Sequence, residues 1–279
     1  MQGALERAMG ELVLGPALDL SDPQVMTAWL VRHGVAEADA AALRAADLNR
    51  LLVYRRLVQH TLRSTVEVAL PRSIERLGPV FDEYFARFLA ERGPRTHYLR
   101  DVTDELLDWS EPRLREDPRV APYLPDLMRH EALRIKIGAL PAGRAGQTLG
   151  ALDLDRAVAF IEASQVVQYR FAVHELPDEE GDASEPVAEL TALFVYRSPE
   201  HQVRYLRLSP LAAAILDKLH GERRTLREAI TSAAAALGFT LSEQVLQGAA
   251  QLLADLAERG ALLGSADIGG AVPSSGESA

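Results

Sequence analysis

The sequence of 279 residues has no cysteine, four methionines and two tryptophans, and aromatic residues make up only 6% of it. Without cysteine, the chain has no disulfide framework, no thiolate metal site and no cysteine nucleophile. Positive charge is also scarce, because 30 Lys and Arg against 40 Asp and Glu give a net charge of −10. That balance disfavours general adhesion to nucleic acid or to an anionic membrane.

Segments that would direct the chain to a membrane are missing as well. No apolar run approaches the roughly 18 residues that a membrane span needs. The N-terminal stretch carries acids within its apolar residues and no basic region before them, which is not the pattern of a signal peptide. The sequence therefore predicts a cytoplasmic protein that has no membrane partner.

The usual signatures of catalysis and metal binding do not occur. The seven histidines include no pair at the i, i+4 spacing of a helical metal site, and no GxSxG, GxGxxG or P-loop motif is present. Asp101, Asp104, Glu105 and Asp108 form an acidic helix face, but acids near a helix start commonly complement the helix dipole. We therefore expect no catalytic residue, no metal site and no cofactor, and we predict that the chain is not an enzyme.

Helical periodicity runs through the first half of the chain. Capping residues, prolines and apolar spacing predict helices over 23–33, 36–46, 49–70, 74–77, 80–91, 99–109 and 122–140. The segment from Pro141 to Thr148 is rich in Gly, Ala and Pro, which is typical of a linker. We predict an all-α bundle over residues 1–142 that ends at this linker.

Strand patterns appear only in the second half. Two alternating segments, 189–197 and 202–208, flank a polar four-residue turn and predict a β-hairpin. Residues 166–173 are predicted to form a further strand. The acidic loop over 176–186 is expected to be solvated and mobile.

Three helices with start and stop signals follow the hairpin. Ser209, Thr225 and Ser242 are the expected N-caps, and glycines close each helix, at 221, 238 and 260. A hairpin combined with three such helices is typical of a winged-helix module. We predict a winged-helix-like domain with a small antiparallel sheet over 152–266 and a disordered tail over 267–279. The predicted fold class is α+β, mainly α.

The second hairpin arm is the expected edge of the sheet. Such an edge exposes N–H and C=O groups, which can accept an extended peptide as an added strand, and a proline at position 204 is expected to remove one of its donors. The third helix would wall a groove beside this arm. The alternative is that the strand at 166–173 covers the edge. The predicted peptide-binding residues are Val203, Tyr205 and Arg207 on one face of the arm, Arg204 on the other, and Gln244 and Gln251 on the third helix.

Basic residues are concentrated in one part of the first half. Between positions 44 and 76, seven arginines stand against three acidic residues, a net charge of +4. This excess predicts a docking face for an acidic partner, a protein before a nucleic acid, at Arg50, Arg55, Arg56 and Arg63. In the alternative interpretation the arginines pair with acids inside the bundle, and Tyr54 lies in the core while Arg55 ties helices together.

DNA binding is the usual use of a winged-helix module, with the last helix in the major groove. Between positions 208 and 264, however, five basic residues stand against six acidic ones. Neutralising phosphates requires a local positive excess instead. A DNA-binding transcriptional regulator is therefore the second interpretation.

Scattered residues of the first half resemble the helical N-terminal domain of the HvfC/BufC family. They are Tyr54-Arg55, Pro71 ahead of a helical turn, Gly78 followed by Phe81, the segment 94–99 and the helix around 127–131. The C-terminal half is similar to the winged-helix module of those proteins and of their relative MbnC, which is itself similar to peptide-recognition elements of ribosomal-peptide biosynthesis. The resemblance covers roughly residues 45 to 264, and the residues before Asp47 form a longer lead-in than the family pattern.

The resemblance implies a non-catalytic accessory protein of peptide natural-product modification. Family members are encoded beside TIM-barrel iron enzymes of the HvfB and MbnB type, and are thought to dock that enzyme and to present a precursor peptide to it. The family has also been described as DNA-binding, which agrees with the second interpretation, a transcriptional regulator. An enzyme is the third interpretation.

Overall fold

The computed structural model describes residues 3–16, 18, 22–45, 48–142, 150–179, 181–222 and 224–266. These residues belong to two compact units, one formed by Met1–Ala132 with Pro177–Ala183 and the other by Leu133–Leu176 with Ser184–Ala279. The predicted linker around 143–149 and the predicted tail 267–279 lie outside the described residues. The predicted domain boundaries therefore stay predictions.

Helices build the first unit. They confirm the predicted helices to within a few residues, with two differences. A helix over 4–14 was not predicted, and the helix predicted over 99–109 begins after a separate 3-10 turn at Leu99–Asp101 and continues through Pro112. The helices are α1 (Ala4–Leu14), α2 (Pro23–His33), α3 (Glu37–Ala45), α4 (Leu48–Ala69), α5 (Pro71–Leu77), α6 (Pro79–Glu91), α7 (Val102–Glu116) and α8 (Leu124–Ala139), of which α8 continues into the second unit.

Local sequence explains where several of these helices begin. The Asp22 carboxylate accepts a hydrogen bond from Gln24 N–H at 2.8 Å, and Pro23 occupies the first position of α2, where a missing N–H is harmless. Gly78 separates α5 from α6, and each of these helices starts with a proline. The φ angle of Gly78 is 52°, in the left-handed region that favours glycine.

Helix α6 buries one stripe of apolar side chains, four of them aromatic. Its members are Phe81, Tyr84, Phe85, Phe88 and Leu89. The ring centroid of Phe88 lies 5.8 Å from that of Trp109, so the stripe packs α6 against α7. A second cluster of buried residues, which includes Leu12, Trp29 and Leu30, joins α1 to α2.

Several residues of the acidic segment 177–183 bond to α5, yet all of its described residues except Asp182 are exposed, so the expectation of a solvated loop is confirmed. Its mobility stays a prediction. Arg76 Nη2 lies 2.8 Å from Asp182 Oδ2, and these side chains are only 9% and 19% exposed. The backbone N–H of Gly181 donates to the Glu75 carboxylate at 2.9 Å. Acidic residues of this segment therefore form ion pairs with some of the arginines that make the region between positions 44 and 76 basic.

The second unit contains two antiparallel sheets and three further helices. One sheet pairs β1 with β5, and the other has the strand order β2-β3-β4. The strands are β1 (Ala157–Phe160), β2 (Ser164–Tyr169), β3 (Thr191–Arg197), β4 (Val203–Leu208) and β5 (Leu262–Ala266), and the helices are α9 (Pro210–His220), α10 (Leu226–Ala236) and α11 (Glu243–Glu258).

The hairpin and the three capped helices confirm the sequence prediction. The hydroxyl of Ser209 accepts from Ala212 N–H at 3.2 Å, and Thr225 forms a capping box with Glu228. Ser242 caps α11 through Val245 N–H at 3.4 Å. The hairpin turn includes His201 in the left-handed region, with φ of 63°.

Strands β1 and β5 were not predicted. They pair residues that are about a hundred positions apart, from Ala157 opposite Ala266 to Phe160 opposite Leu262, with an irregularity beside Phe160. Thr225 adds an isolated bridge to Ala157. Buried residues from the β2-β3-β4 sheet, from β1 and β5 and from all three helices form one core, which includes Phe194, Leu216 and Leu256. The fold class is α+β, mainly α, as predicted.

Candidate functional site

Strand β4 is the outer strand of its sheet. In the order β2-β3-β4, the two neighbours of β3 are β2 and β4, and no other strand in the described ranges pairs with β4. The alternative in which the strand near 166–173 covers this edge is wrong, because β2 lies on the opposite side of β3. The second hairpin arm is therefore an edge, as the sequence predicts.

The hydrogen-bond pattern shows which main-chain groups of β4 point outward. Ser198 N–H donates to Gln202 O at 2.8 Å, just beyond the strand pair. Because hydrogen-bonded and non-hydrogen-bonded pairs alternate in an antiparallel ladder, and the register is regular, Arg204, Leu206 and Leu208 bond to β3. The main-chain groups of Val203, Tyr205 and Arg207 then point away from it.

A second hydrogen bond supports this assignment from the other side of β3. Arg197 N–H donates to Ala163 O at 2.9 Å, so residue 197 bonds toward β2 and the residues of even number bond toward β4. The expectation for a proline at position 204 is therefore wrong. Such a proline would remove a donor from the hairpin itself, whereas a proline at 203 or 207 would alter the outer edge.

The side chains of β4 alternate between two faces. Leu206 and Leu208 belong to the core of the second unit, and Arg204 lies on the same face, directly opposite Tyr196. Val203, Tyr205 and Arg207 occupy the other face. This division is the predicted one.

The face of β4 that carries Val203, Tyr205 and Arg207 has different neighbours at its two ends. Gly138 lies beside Val203, because a Cβ built on Gly138 would be 3.6 Å from Val203 Cγ2. Arg207 pairs with Glu175 at 3.2 Å and with Glu189 at 2.6 Å. These pairs are about half exposed, so they contribute little to stability.

A groove of about 930 Å³, called the large groove below, lies at the Arg204 end of β4. Its wall on α11 is formed by Leu246, Ala250, Leu253, Ala254 and Ala257, and its rim carries Glu200, Arg204 and Arg259. The expectation that α11 walls a groove is confirmed. Gln244 and Gln251 are exposed on α11 but do not line the groove.

A second cavity, of about 700 Å³ and called the small cavity below, lies at the other end of β4. Arg207 and Leu208 line it from the strand, Ala214 and Lys218 from α9, and Ala236 and the C-cap residue Leu237 from the end of α10. Leu237 is 41% exposed although it is apolar. The edge strand therefore has an open, mainly apolar cavity at each end.

His174 interacts with Arg207, Glu175 and Glu189, and its pKa is shifted. Burial lowers its pKa, while the nearby carboxylate of Glu175 acts in the opposite direction. Elsewhere, the carboxyl pKa of Glu200 is lowered, mainly by a hydrogen bond with Ser198. Among the described residues, no group of three or more His, Cys, Asp or Glu could hold a metal ion, and no helix is long and apolar enough to cross a membrane.

The four predicted docking arginines of α4 fall into two classes. Arg55 donates to Leu12 O and to Gly15 O, so it ties α4 to the end of α1. Arg63 pairs with Glu67 at 2.6 Å and with Asp82 at 2.7 Å. These two side chains are engaged within the unit, as the alternative interpretation of the arginines expects.

Arg50 and Arg56 are the exposed members of the set on α4. Around them, Val53 and Leu57 are 63% and 60% exposed. Tyr54 is 53% exposed, so the expectation that its ring lies in the core is wrong. The first half of α4 thus presents basic and apolar side chains together, a combination that net charge alone does not reveal.

The part of the chain that contains β4 matches a known protein family. Residues 162–257 match the family described as the HvfC C-terminal domain. The match supports membership of the HvfC/BufC family, in agreement with the resemblance noted in the sequence. No curated protein matches the chain. The matched range runs from the residues before β2 into the last turn of α11, so it includes the hairpin and most of the residues that line both cavities.

Proposed function

We propose, from the HvfC C-terminal domain match at residues 162–257, that the chain is a non-catalytic accessory protein. It binds a precursor peptide as an added strand on β4 and brings this peptide to a partner enzyme, a TIM-barrel iron enzyme of the HvfB or MbnB type. The observation that carries the proposal is the position of β4 as the outer strand of its sheet, within the matched range, with the main-chain groups of Val203 and Arg207 pointing outward.

Strand addition suits this edge for a physical reason. A peptide strand that pairs with β4 gains main-chain hydrogen bonds, each worth about 0.5–1.5 kcal/mol net, without requiring a particular peptide sequence. Side chains that enter the neighbouring cavities add the selectivity that main-chain bonds lack. An accessory protein can therefore hold an extended segment while the rest of the peptide remains available to the enzyme.

The partner enzyme docks on the exposed face of α4 in this proposal. Exposed apolar residues such as Val53 and Leu57 gain free energy when an interface removes them from water, and Arg56 favours an acidic rim on the partner. Two copies of this chain would oppose arginine with arginine at such a face. A different protein with acidic residues around an apolar patch is the better complement.

The experiment is a calorimetric titration of the chain with any short peptide that is found to be encoded next to its gene. The wild-type chain should bind such a peptide, and Arg207→Pro should weaken binding by at least about tenfold, because proline removes an outward donor. Arg207→Ala keeps the N–H and loses only exposed ion pairs, so its affinity should stay within about threefold. Equal affinities of the folded proline and alanine variants would overturn strand addition at β4.

A further inference from the structure

The loop between α6 and α7, residues 94–100, presents two large side chains to solvent. Tyr98 is 62% exposed and Leu99 is 49% exposed. Among the aromatic side chains that the structure describes in the first unit, only Tyr54 and Tyr98 are exposed, and the others are buried. The Arg100 guanidinium lies 5.1 Å from the centre of the Tyr98 ring. The loop therefore carries an aromatic ring and a cation side by side at the surface.

Hydrogen bonds within the unit restrict the conformation of this loop. The Glu105 carboxylate accepts from the backbone N–H of Arg95 at 2.8 Å and from that of Thr96 at 2.7 Å. The Thr96 hydroxyl in turn accepts from Tyr98 N–H at 3.0 Å. A loop that is already ordered loses less conformational entropy when a partner binds. Tyr98 is therefore held in its exposed position before any contact forms.

The first half of α4 lies beside this loop. At the start of α6, Asp82 pairs with Arg63 of α4 at 2.7 Å. Just beyond the end of α6, a Cβ built on Gly93 would lie 3.0 Å from Leu14 Cδ1, in the last turn of α1, to which Arg55 donates hydrogen bonds. Helix α6 thus runs back along α4, from position 63 toward position 55. The 3-10 turn that begins in the loop also packs on α4.

Both segments are basic. Residues 49–61 contain three arginines, residues 94–100 contain two, and neither segment contains an acidic residue, although the net charge of the chain is −10. Arg55 is engaged with α1, and Arg100 lies 3.5 Å from Asp101, whereas Arg56 and Arg95 are exposed. Charge complementarity therefore favours a partner that carries carboxylates at this surface.

The apolar side chains decide between two kinds of acidic partner. Val53, Leu57 and Leu99 are exposed aliphatic groups, and they gain free energy when a protein interface removes them from water. Phosphate groups offer them no such gain, since binding to a nucleic-acid backbone rests on cationic and polar contacts. The combination favours a protein surface.

We propose that Tyr98 and Leu99 form one docking surface with the exposed first half of α4, and that its occupant is the partner enzyme. Tyr98 is the aromatic anchor, which enters an apolar depression of the enzyme, and Arg56 and Arg95 face carboxylates on its rim. Tyrosine and arginine are enriched among the residues that dominate binding at interfaces. This inference rests on the proposed function, which places the enzyme on α4, and adds to it a second segment and an anchoring residue.

The experiment titrates the intact chain with the proposed partner enzyme, a TIM-barrel iron enzyme of the HvfB or MbnB type, by calorimetry. Tyr98→Ser removes the ring and should weaken binding by at least about tenfold. Tyr98→Phe keeps the ring, so its affinity should stay within about threefold of the wild type. Because the side chain is mostly exposed, both variants should keep the melting temperature of the wild type.

Two further variants assign the effect. Phe239→Ser, at an aromatic side chain of the second unit that is 50% exposed, is the matched control and should bind the enzyme as the wild type does. Arg95→Glu reverses an exposed charge of the loop. It should weaken binding by about tenfold at low salt and by less at high salt, because salt screens exposed charges.

The outcomes separate this inference from the proposed function. Equal affinity of Tyr98→Ser and the wild type, with weaker binding of Arg56→Glu, would overturn the inference and leave docking on α4 in place. Weaker binding of Phe239→Ser but not of Tyr98→Ser would also overturn it. Absence of enzyme binding by the wild type would overturn the inference together with the enzyme part of the proposed function, while peptide binding is measured separately.

A nucleic acid is the competing occupant, and the intact chain can be tested with a labelled thymidine oligonucleotide by fluorescence anisotropy. Exposed tyrosines and arginines are also the groups on which single-stranded bases stack. Submicromolar binding that is lost in Tyr98→Ser would assign this surface to single-stranded nucleic acid and overturn the inference. We expect no such binding.

Discussion

Glu131 holds Ser73 at the start of α5, where its carboxylate accepts hydrogen bonds from the Ser73 N–H at 3.0 Å and from the Ser73 hydroxyl at 2.6 Å. The carboxylate also accepts from the Arg72 backbone N–H at 3.1 Å, and its other partner is the Arg72 guanidinium at 3.2 Å. Glu131 is 2% exposed. One buried acid from α8 therefore satisfies the otherwise unpaired N–H groups at the first turn of α5.

Replacing Glu131 should destabilise the protein strongly. Glu131→Ala removes the acceptor of two backbone N–H groups and of the Ser73 hydroxyl in a buried site, together with one of the carboxylate partners of Arg72, and we expect a loss of about 3 kcal/mol or more in the free energy of unfolding. Urea unfolding followed by circular dichroism measures this loss. Glu116→Ala, at an exposed acid of α7, should cost no more than about 0.5 kcal/mol. Similar losses in both variants would contradict the structural role of Glu131.

Arg55 and Arg56 are adjacent but should respond oppositely to substitution. Arg55→Ala removes hydrogen bonds to Leu12 O and Gly15 O, so the free energy of unfolding should fall by about 1.5–3 kcal/mol. Arg56→Glu should leave stability within about 0.5 kcal/mol and weaken binding of the proposed partner enzyme by about tenfold. Chemical unfolding and a binding titration with that enzyme make the comparison. Unchanged enzyme binding in Arg56→Glu would remove this face from the proposal.

His174 should make stability depend on pH. Burial lowers its pKa in the folded chain, so the unfolded chain takes up a proton first as the pH falls through about 6.5. Above this pH, His174 is neutral in both the folded and the unfolded chain and does not change the free energy of unfolding. Below it, protonation favours the unfolded chain, so the free energy of unfolding falls progressively. The carboxylates of Glu175 and Glu189 oppose the shift and Arg207 adds to it. Melting temperatures of His174→Gln should fall less between pH 7.5 and 5.5 than those of the wild type. His97→Gln, at an exposed histidine, is the control and should behave as the wild type does. If the melting temperature of His174→Gln falls as much as that of the wild type, the assignment to His174 is contradicted.

Non-specific DNA binding should be negligible at physiological salt. Helix α11 contains no lysine or arginine between Glu243 and Glu258, and its exposed positions include Gln244, Gln247 and Gln251. A helix without basic residues releases few counterions from phosphate. Fluorescence anisotropy with a random duplex tests this expectation. Submicromolar binding that weakens steeply with salt would favour the transcriptional-regulator interpretation instead.

The sequence predicts elements whose determinants are local. The N-caps Ser209, Thr225 and Ser242 and the alternation in the hairpin define α9 to α11 and β3-β4 from nearby residues alone. Strands β1 and β5 escaped prediction because each is short and gains its partner only from a distant part of the chain. Pairing of that kind is not visible in a local window.

In the candidate site, too, local sequence predicts some features, and others depend on distant parts of the chain. Alternation predicts the two faces of β4, but only the partners of β3 reveal which main-chain groups point outward, and hence that position 207 rather than 204 tests the edge. The charge pattern predicts the arginine cluster of α4. Which arginines are engaged depends on carbonyl and carboxylate groups of other helices, as with Leu12 for Arg55 and Asp82 for Arg63.

Amide hydrogen exchange of β4 tests strand addition most directly. In the free chain, the N–H groups of Arg204 and Leu206 bond to β3 and should exchange slowly, while those of Val203 and Arg207 should exchange faster. Saturation with the proposed precursor peptide should slow exchange at Val203 and Arg207 and leave Arg204 and Leu206 slow. Unchanged exchange at Val203 and Arg207 in a saturated complex would contradict the account, because the peptide would then bind away from the β4 edge.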